Sequence, residues 1–195
     1  MTTTTLAALG GSFVVVALAE MGDKTQLVAF SLASRYRRPW VVMLGILIAT
    51  LANHALASSV GVGLAAAVSE RTLAVVLGLS FLAFGVWTLV PDRVDEVGAA
   101  RRGWGPLAST TVVFFLAEMG DKTQLATVAL AARFGAPVAV TAGTTAGMLA
   151  ADGLAVFAGT RLGRVVPMRL VRVVAAALFF LFGGAALGHA TGLLG

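Results

Sequence analysis

Cysteine is absent from the 195-residue chain, which excludes a disulfide framework and any thiolate metal site. Charge is scarce as well. Asp, Glu, Lys and Arg make up 12% of the residues, about half the usual share in a soluble domain. Lysine is rarer than arginine: Lys24 and Lys122 stand against twelve Arg. The net charge of +5 comes without a basic patch interleaved with aromatics, so nucleic acid is not an expected partner. The N-terminal M-T-T-T-T-L-A-A-L-G-G has no basic segment and no evident cleavage site, so the apolar run that follows reads as a mature span.

What the chain has is apolar length: 58% of it is hydrophobic and its mean hydropathy is +0.94. Six runs approach or exceed the ~20 residues that cross a bilayer as a helix, at 6–34, 40–68, 72–90, 106–132, 137–159 and 168–191. None shows the two-residue alternation of barrel strands. The expected fold is therefore an all-α integral membrane protein with six transmembrane helices. Ten Arg (35, 37, 38, 93, 101, 102, 161, 164, 169 and 172) fall in or beside the first, third and fifth connections, against Arg71 and Arg133 on the other side. That bias puts the odd connections in the cytoplasm and both termini outside it. Trp40, Trp87 and Trp104 lie near run ends, where interfacial aromatics belong.

The polar connection 91–105 separates residues 1–90 from 106–195, and these two segments repeat one another. At an offset of 98 residues, Arg35 meets Arg133, Pro39 meets Pro137, Gly45 meets Gly143, Phe81 meets Phe179 and Gly85 meets Gly183. Three spans per segment would insert the second upside down relative to the first, a recurrent plan among secondary transporters.

The strongest repeat is ten residues long. Both 18–27 and 116–125 read L-A-E-M-G-D-K-T-Q-L. On a continuous helix Glu20, Asp23 and Lys24 would share one face, as would Glu118, Asp121 and Lys122. Each ionisable residue at mid-span costs about 2.5–3.5 kcal/mol on insertion scales, so these six must face one another or a wet cavity. The plainer alternative is a structural Glu–Lys bridge within each helix. Replacing such pairs by apolar residues is often neutral or stabilising, so two intact copies suggest a task. Lys where the chain otherwise writes Arg suits a counter-ion that must release its partner.

Four carboxylates make a hard, oxygen-rich set suited to Mg²⁺, Ca²⁺ or Mn²⁺. Thr25, Thr123, Gln26, Gln124 and backbone carbonyls could add oxygens. Gly22 and Gly120 either loosen the helix or serve close packing. His54 and Asp152 occupy equivalent positions of the repeat, with Asn53 beside His54. Both read either as site or proton-relay residues or as hydrogen-bonded structural ones. His189 reads as interfacial, and Glu70, Asp92, Asp95 and Glu96 as solvated.

The duplicated E-M-G-D-K-T at 20–25 and 118–123 resembles the E-x-G-D-[KR]-[ST] hallmark of the GDT family of cation/proton exchangers, which includes Golgi manganese and calcium transporters and bacterial manganese exporters. The segment G-M-L-A-A-D-G-L-A-V at 147–156 is similar to that family's fifth span. The resemblance implies cation ligands at Glu20, Asp23, Glu118 and Asp121, supported by Lys24, Lys122, Thr25 and Thr123. It implies a multi-pass transporter of the bacterial cytoplasmic membrane, not an enzyme, with no permanently bound cofactor. Its substrates would be H⁺ and a divalent cation, Mn²⁺ or alternatively Ca²⁺, and its surroundings the lipid bilayer. Two other classes stand against it. An intramembrane aspartyl hydrolase also carries Gly-Asp pairs, but the adjacent Lys and Glu and the inverted symmetry oppose it. A non-transporting scaffold is opposed by the cost of six buried charges.

Overall fold

The computed structural model describes residues 3–90, 104–158 and 168–192. Arg93, Arg101, Arg102, Arg161, Arg164, Asp92, Asp95, Glu96 and most of the connection 91–105 lie outside the described residues. Among those described there are eight helices: α1 (Thr3–Glu20), α2 (Lys24–Tyr36), α3 (Pro39–Ala67), α4 (Glu70–Leu89), α5 (Pro106–Glu118), α6 (Lys122–Phe134), α7 (Pro137–Ala158) and α8 (Met168–Ala190). Five (α1, α3, α4, α7 and α8) are long and apolar enough to cross a membrane, and α5 is a shorter apolar helix. The protein is thus an all-helical, multi-pass membrane protein.

Local sequence explains most boundaries. Pro39, Pro106 and Pro137 open α3, α5 and α7, a position where the missing N–H has no helical partner to lose. Two helices stop in the left-handed region, α2 at Arg37 (φ 51°) and α6 at Gly135 (φ 60°). Their N–H groups donate back to the carbonyls of Ala33 and Ala131. Ser69 caps α4 by accepting from the Thr72 N–H at 3.2 Å. The runs 6–34 and 106–132, expected as single helices, are each divided in two, α1/α2 and α5/α6. The division falls within the repeated decamer.

Sidedness follows the solvent. On α3, Leu44, Ile48 and Leu51 are exposed, whereas Val42, Ile46, Ala49, Asn53 and His54 are buried. Both faces are apolar, and Thr50, Asn53, His54 and Ser58 sit inside, as a lipid surround favours. Contacts also recur at the offset of the repeat. A methyl group on Gly45 would fall 2.7 Å from the Thr110 Cβ and 3.2 Å from the Leu107 carbonyl oxygen; on Gly143 it would fall 3.1 Å from the Ser12 Cβ and collide with the Leu9 carbonyl oxygen. Leu9 and Leu107 are equivalent positions, as are Ser12 and Thr110. So α3 lies directly on α5, and α7 on α1, with glycine admitting the backbone of the other helix. Between α4 and α8, the equivalent Phe81 and Phe179 stack with ring centroids 6.3 Å apart. These reciprocal pairings bring both copies of the decamer into one buried neighbourhood.

Candidate functional site

The break in each motif copy is built by the motif itself. After Glu20 the chain turns through Gly22 at φ 80°, and after Glu118 through Gly120 at φ 78°. That left-handed region is open to glycine and strained for other residues. Asp23 and Asp121 then run extended (φ −78°, ψ 165° and φ −76°, ψ 166°) and hold the N-cap positions of α2 and α6. Their N–H groups donate to the carbonyls of Glu20 and Glu118 at 3.0 and 3.2 Å. Gln26 and Gln124 brace the turns: their Oε1 atoms accept from the Gly22 and Gly120 N–H at 2.8 and 2.6 Å. Those two side chains spend their oxygens on the turn, where the sequence suggested further cation ligands. A methyl group on Gly120 would meet nothing within 4 Å, so its conformation, and not packing, demands glycine. Gly120→Ala is accordingly expected to cost about 1–2 kcal/mol, read as a lowered thermal unfolding midpoint.

Because the helix breaks, Glu20, Asp23 and Lys24 do not lie along one helical face as an unbroken span would place them. Glu20 is the last residue of α1, and Lys24 the first of α2. Glu20 is wholly buried and Glu118 is 1% exposed. The Thr25 hydroxyl donates to Glu20 Oε2 at 2.8 Å, and the Thr123 hydroxyl to Glu118 Oε2 at 3.2 Å. The other oxygen of each glutamate, Oε1, is buried with no hydrogen-bond partner among the described residues. A buried carboxylate oxygen normally has one.

The two copies meet through their lysines. Lys24 Nζ lies 3.0 Å from Asp121 Oδ2, and Lys122 Nζ is paired with Asp23 Oδ1. Each ammonium crosses to the other copy, where the sequence offered a bridge to the glutamate of its own helix. The pairs differ in depth. The Lys24 side chain is 29% exposed and that of Lys122 only 4%. In this arrangement no group of three or more His, Asp or Glu side chains among the described residues is gathered as a metal-ligand set.

Asp152 and His54, equivalent in sequence, have different surroundings. Asp152 is wholly buried, with neither carboxyl oxygen hydrogen-bonded among the described residues. It lies close enough to Glu20, Asp23 and Glu118 for their charges to act on one another. His54 is equally buried and both its ring nitrogens lack a partner among the described residues. The neighbouring Asn53 donates to the Phe115 carbonyl at 3.0 Å, and Gln26 to the Ala151 carbonyl at 2.7 Å. These two side-chain-to-backbone ties hold α3 on α5 and α2 on α7. The Gln26 tie was not anticipated, since a carbonyl partner leaves no sign in the sequence.

The model of the family described as "Divalent cation/proton antiporter GDT1" matches residues 8–96 and 106–192. A protein of Vibrio cholerae serotype O1 named "Putative manganese exporter" is 45% identical over 90% of this chain and 88% of its own length. A GDT1-like protein of Synechocystis sp. is 29% identical over 91% of this chain and 95% of its own length. GDT1-like protein 3 of Oryza sativa subsp. indica is 28% identical over 90% and 71%. No solved structure matches the chain. Each of the two family matches contains one complete decamer with its broken helix, and the chain belongs to the GDT1 family of divalent cation/proton antiporters.

Proposed function

We propose that the protein exports Mn²⁺ from a bacterial cell in exchange for H⁺, using Glu20, Asp23, Glu118 and Asp121 as the cation's ligands. The observation that carries this reading is the crossed pairing of two broken helices, which brings four buried carboxylates, one buried ammonium group and one partly exposed one within electrostatic reach of each other. Discontinuous helices meeting in this way are how many secondary transporters build a site at mid-membrane. Residues 1–90 and 106–195 act as two inverted three-span halves joined by 91–105, with both termini outside the cytoplasm. The reciprocal contacts of α1 with α7 and α3 with α5 suit such a pair.

Charge supplies the coupling. Four carboxylates against two ammonium groups leave a formal −2, which one divalent cation or two protons would neutralise. Crowded carboxylates titrate as a group, so protons take the metal's place when it leaves. Asp152 adds a fifth carboxyl within reach of three of the four and serves as a proton carrier, with the buried His54 as a second proton-coupling residue. Moving a 2+ ion out of an inside-negative cell costs about 4.6 kcal/mol per 100 mV, and inward protons offset that work. Mn²⁺ is preferred to Ca²⁺ because of the name borne by the 45% identical relative, since hard oxygen ligands accept either ion.

The test is the purified chain in proteoliposomes with a pH dye inside and Mn²⁺, Ca²⁺ or Mg²⁺ outside. Mn²⁺ entry should drive proton exit, with Ca²⁺ a weaker competitor, and acidification should weaken metal binding. Metal flux without any proton movement would rule out exchange.

A further inference from the structure

We propose that Lys24 and Lys122 are tethered stand-ins for the transported cation: each ammonium occupies the aspartate of the opposite motif copy and must leave before metal can bind there. The inference rests on the carboxylate site proposed above and adds what the empty site does.

Four observations lead to it. The pairing is crossed, Lys24 with Asp121 and Lys122 with Asp23, so the two ammonium groups tie one broken helix to the other. With these pairs formed, the described carboxylates are not gathered as a metal-ligand set. Glu20 Oε1 and Glu118 Oε1, in contrast, are buried without hydrogen-bond partners among the described residues, so each copy keeps one carboxylate oxygen ready for a cation. Finally, these two residues are the whole lysine content of a chain with twelve Arg.

The chemistry of the side chain fits the task. An ammonium on a four-carbon stem is a compact point charge with rotatable donors, whereas guanidinium locks onto carboxylate as a planar fork. A divalent ion brings twice the charge to the same oxygens and can displace the ammonium. When the metal departs and no proton replaces it, the lysines return, and the crossed pairs hold the two copies together. An unloaded site tied in this way does not reorient, which prevents metal from leaking without exchange. The two pairs open in sequence. Lys24, 29% exposed, leaves Asp121 before the 4% exposed Lys122 leaves Asp23.

Two measurements on the purified full-length protein test this. The first uses acetic anhydride as a small acylating reagent, with mass spectrometry to follow labelling. Lys24 and Lys122 are the only side-chain amines in the chain, so the signal is unambiguous. Saturating MnCl₂ should raise acylation of Lys24, and of Lys122 more slowly. The second is Mn²⁺ affinity from metal-dependent thermal stabilisation. Lys24→Gln should bind Mn²⁺ about tenfold more tightly, the effect of removing one close competing ion pair, and Lys24→Arg should not. A lysine that merely supports the fold would lose affinity on substitution. Lysines that stay protected at saturating Mn²⁺, or a Lys24→Gln variant that binds no more tightly than wild type, would overturn the proposal. Both outcomes are readable only if wild type binds Mn²⁺ saturably. Failure there removes the carboxylate site, and this role with it.

Discussion

Glu20→Gln and Glu118→Gln are each expected to abolish metal-driven proton flux in proteoliposomes while leaving the protein folded. Glutamine has nearly the shape of glutamate, and its carbonyl oxygen can still accept from the Thr25 or Thr123 hydroxyl that holds Oε2 in the native protein. What changes is the other atom. An amide NH₂ replaces the buried Oε1 that has no hydrogen-bond partner among the described residues, and an amide nitrogen neither ligates a hard cation nor carries an exchangeable carboxyl proton. Losing even an outer partner of a metal site costs about 10–100-fold in affinity, so losing a ligand should exceed about 100-fold. Both copies should suffer alike, because the broken helix, the turn and the threonine contact are duplicated. Native transport in either variant would remove that copy from the site.

The sequence showed clearly that the chain is helical and lies in the membrane, because long apolar runs report on the solvent and not on a particular partner. It also singled out the motif residues as candidates, since charge inside such runs has no cheap structural reason. It did not show how those residues are held. Glycine inside an apolar helix reads equally well as packing or as loosening, and only the φ of 80° and 78° at Gly22 and Gly120 separates the two. With the helix taken as continuous, i+4 spacing pointed each lysine at the glutamate of its own copy. Once it breaks, Lys24 and Lys122 each open a new helix and can reach the opposite copy. Tertiary geometry, not local spacing, chooses their partners.

The case of His54 and Asp152 shows the same limit from another side. Repeat symmetry made them equivalent, and the backbone honours that equivalence in the reciprocal glycine contacts, Gly45 on Leu107 and Thr110 and Gly143 on Leu9 and Ser12. The side chains depart from it. Asp152 joins the field of Glu20, Asp23 and Glu118, whereas His54 is a buried ring with neither nitrogen hydrogen-bonded among the described residues. A duplicated chain can thus keep its scaffold symmetric and let one position per copy diverge in chemistry.

The second large effect is a difference between two lysines that the motif makes identical. Lys122→Met is expected to destabilise the protein severely, and Lys24→Met less. The Lys122–Asp23 pair is closed from solvent, with 4% and 0% of the two side chains exposed, whereas in the other pair Asp121 is 2% exposed but Lys24 is 29% exposed. Removing one partner of a buried pair strands the other charge and costs about 3–5 kcal/mol. Where Lys24 itself reaches water, water can follow to the stranded Asp121, and the cost is smaller, about 1–3 kcal/mol. For a chain of this size the first figure corresponds to a fall on the order of 10 °C in thermal unfolding midpoint, and the second to a few degrees. The combination Asp23→Asn with Lys122→Met removes both charges and should recover most of the loss, because no charge is left stranded. Equal midpoints for the two single variants would mean that both pairs feel water alike, and that the protein samples the mirror arrangement, with Lys122 the exposed partner, as often as the one described.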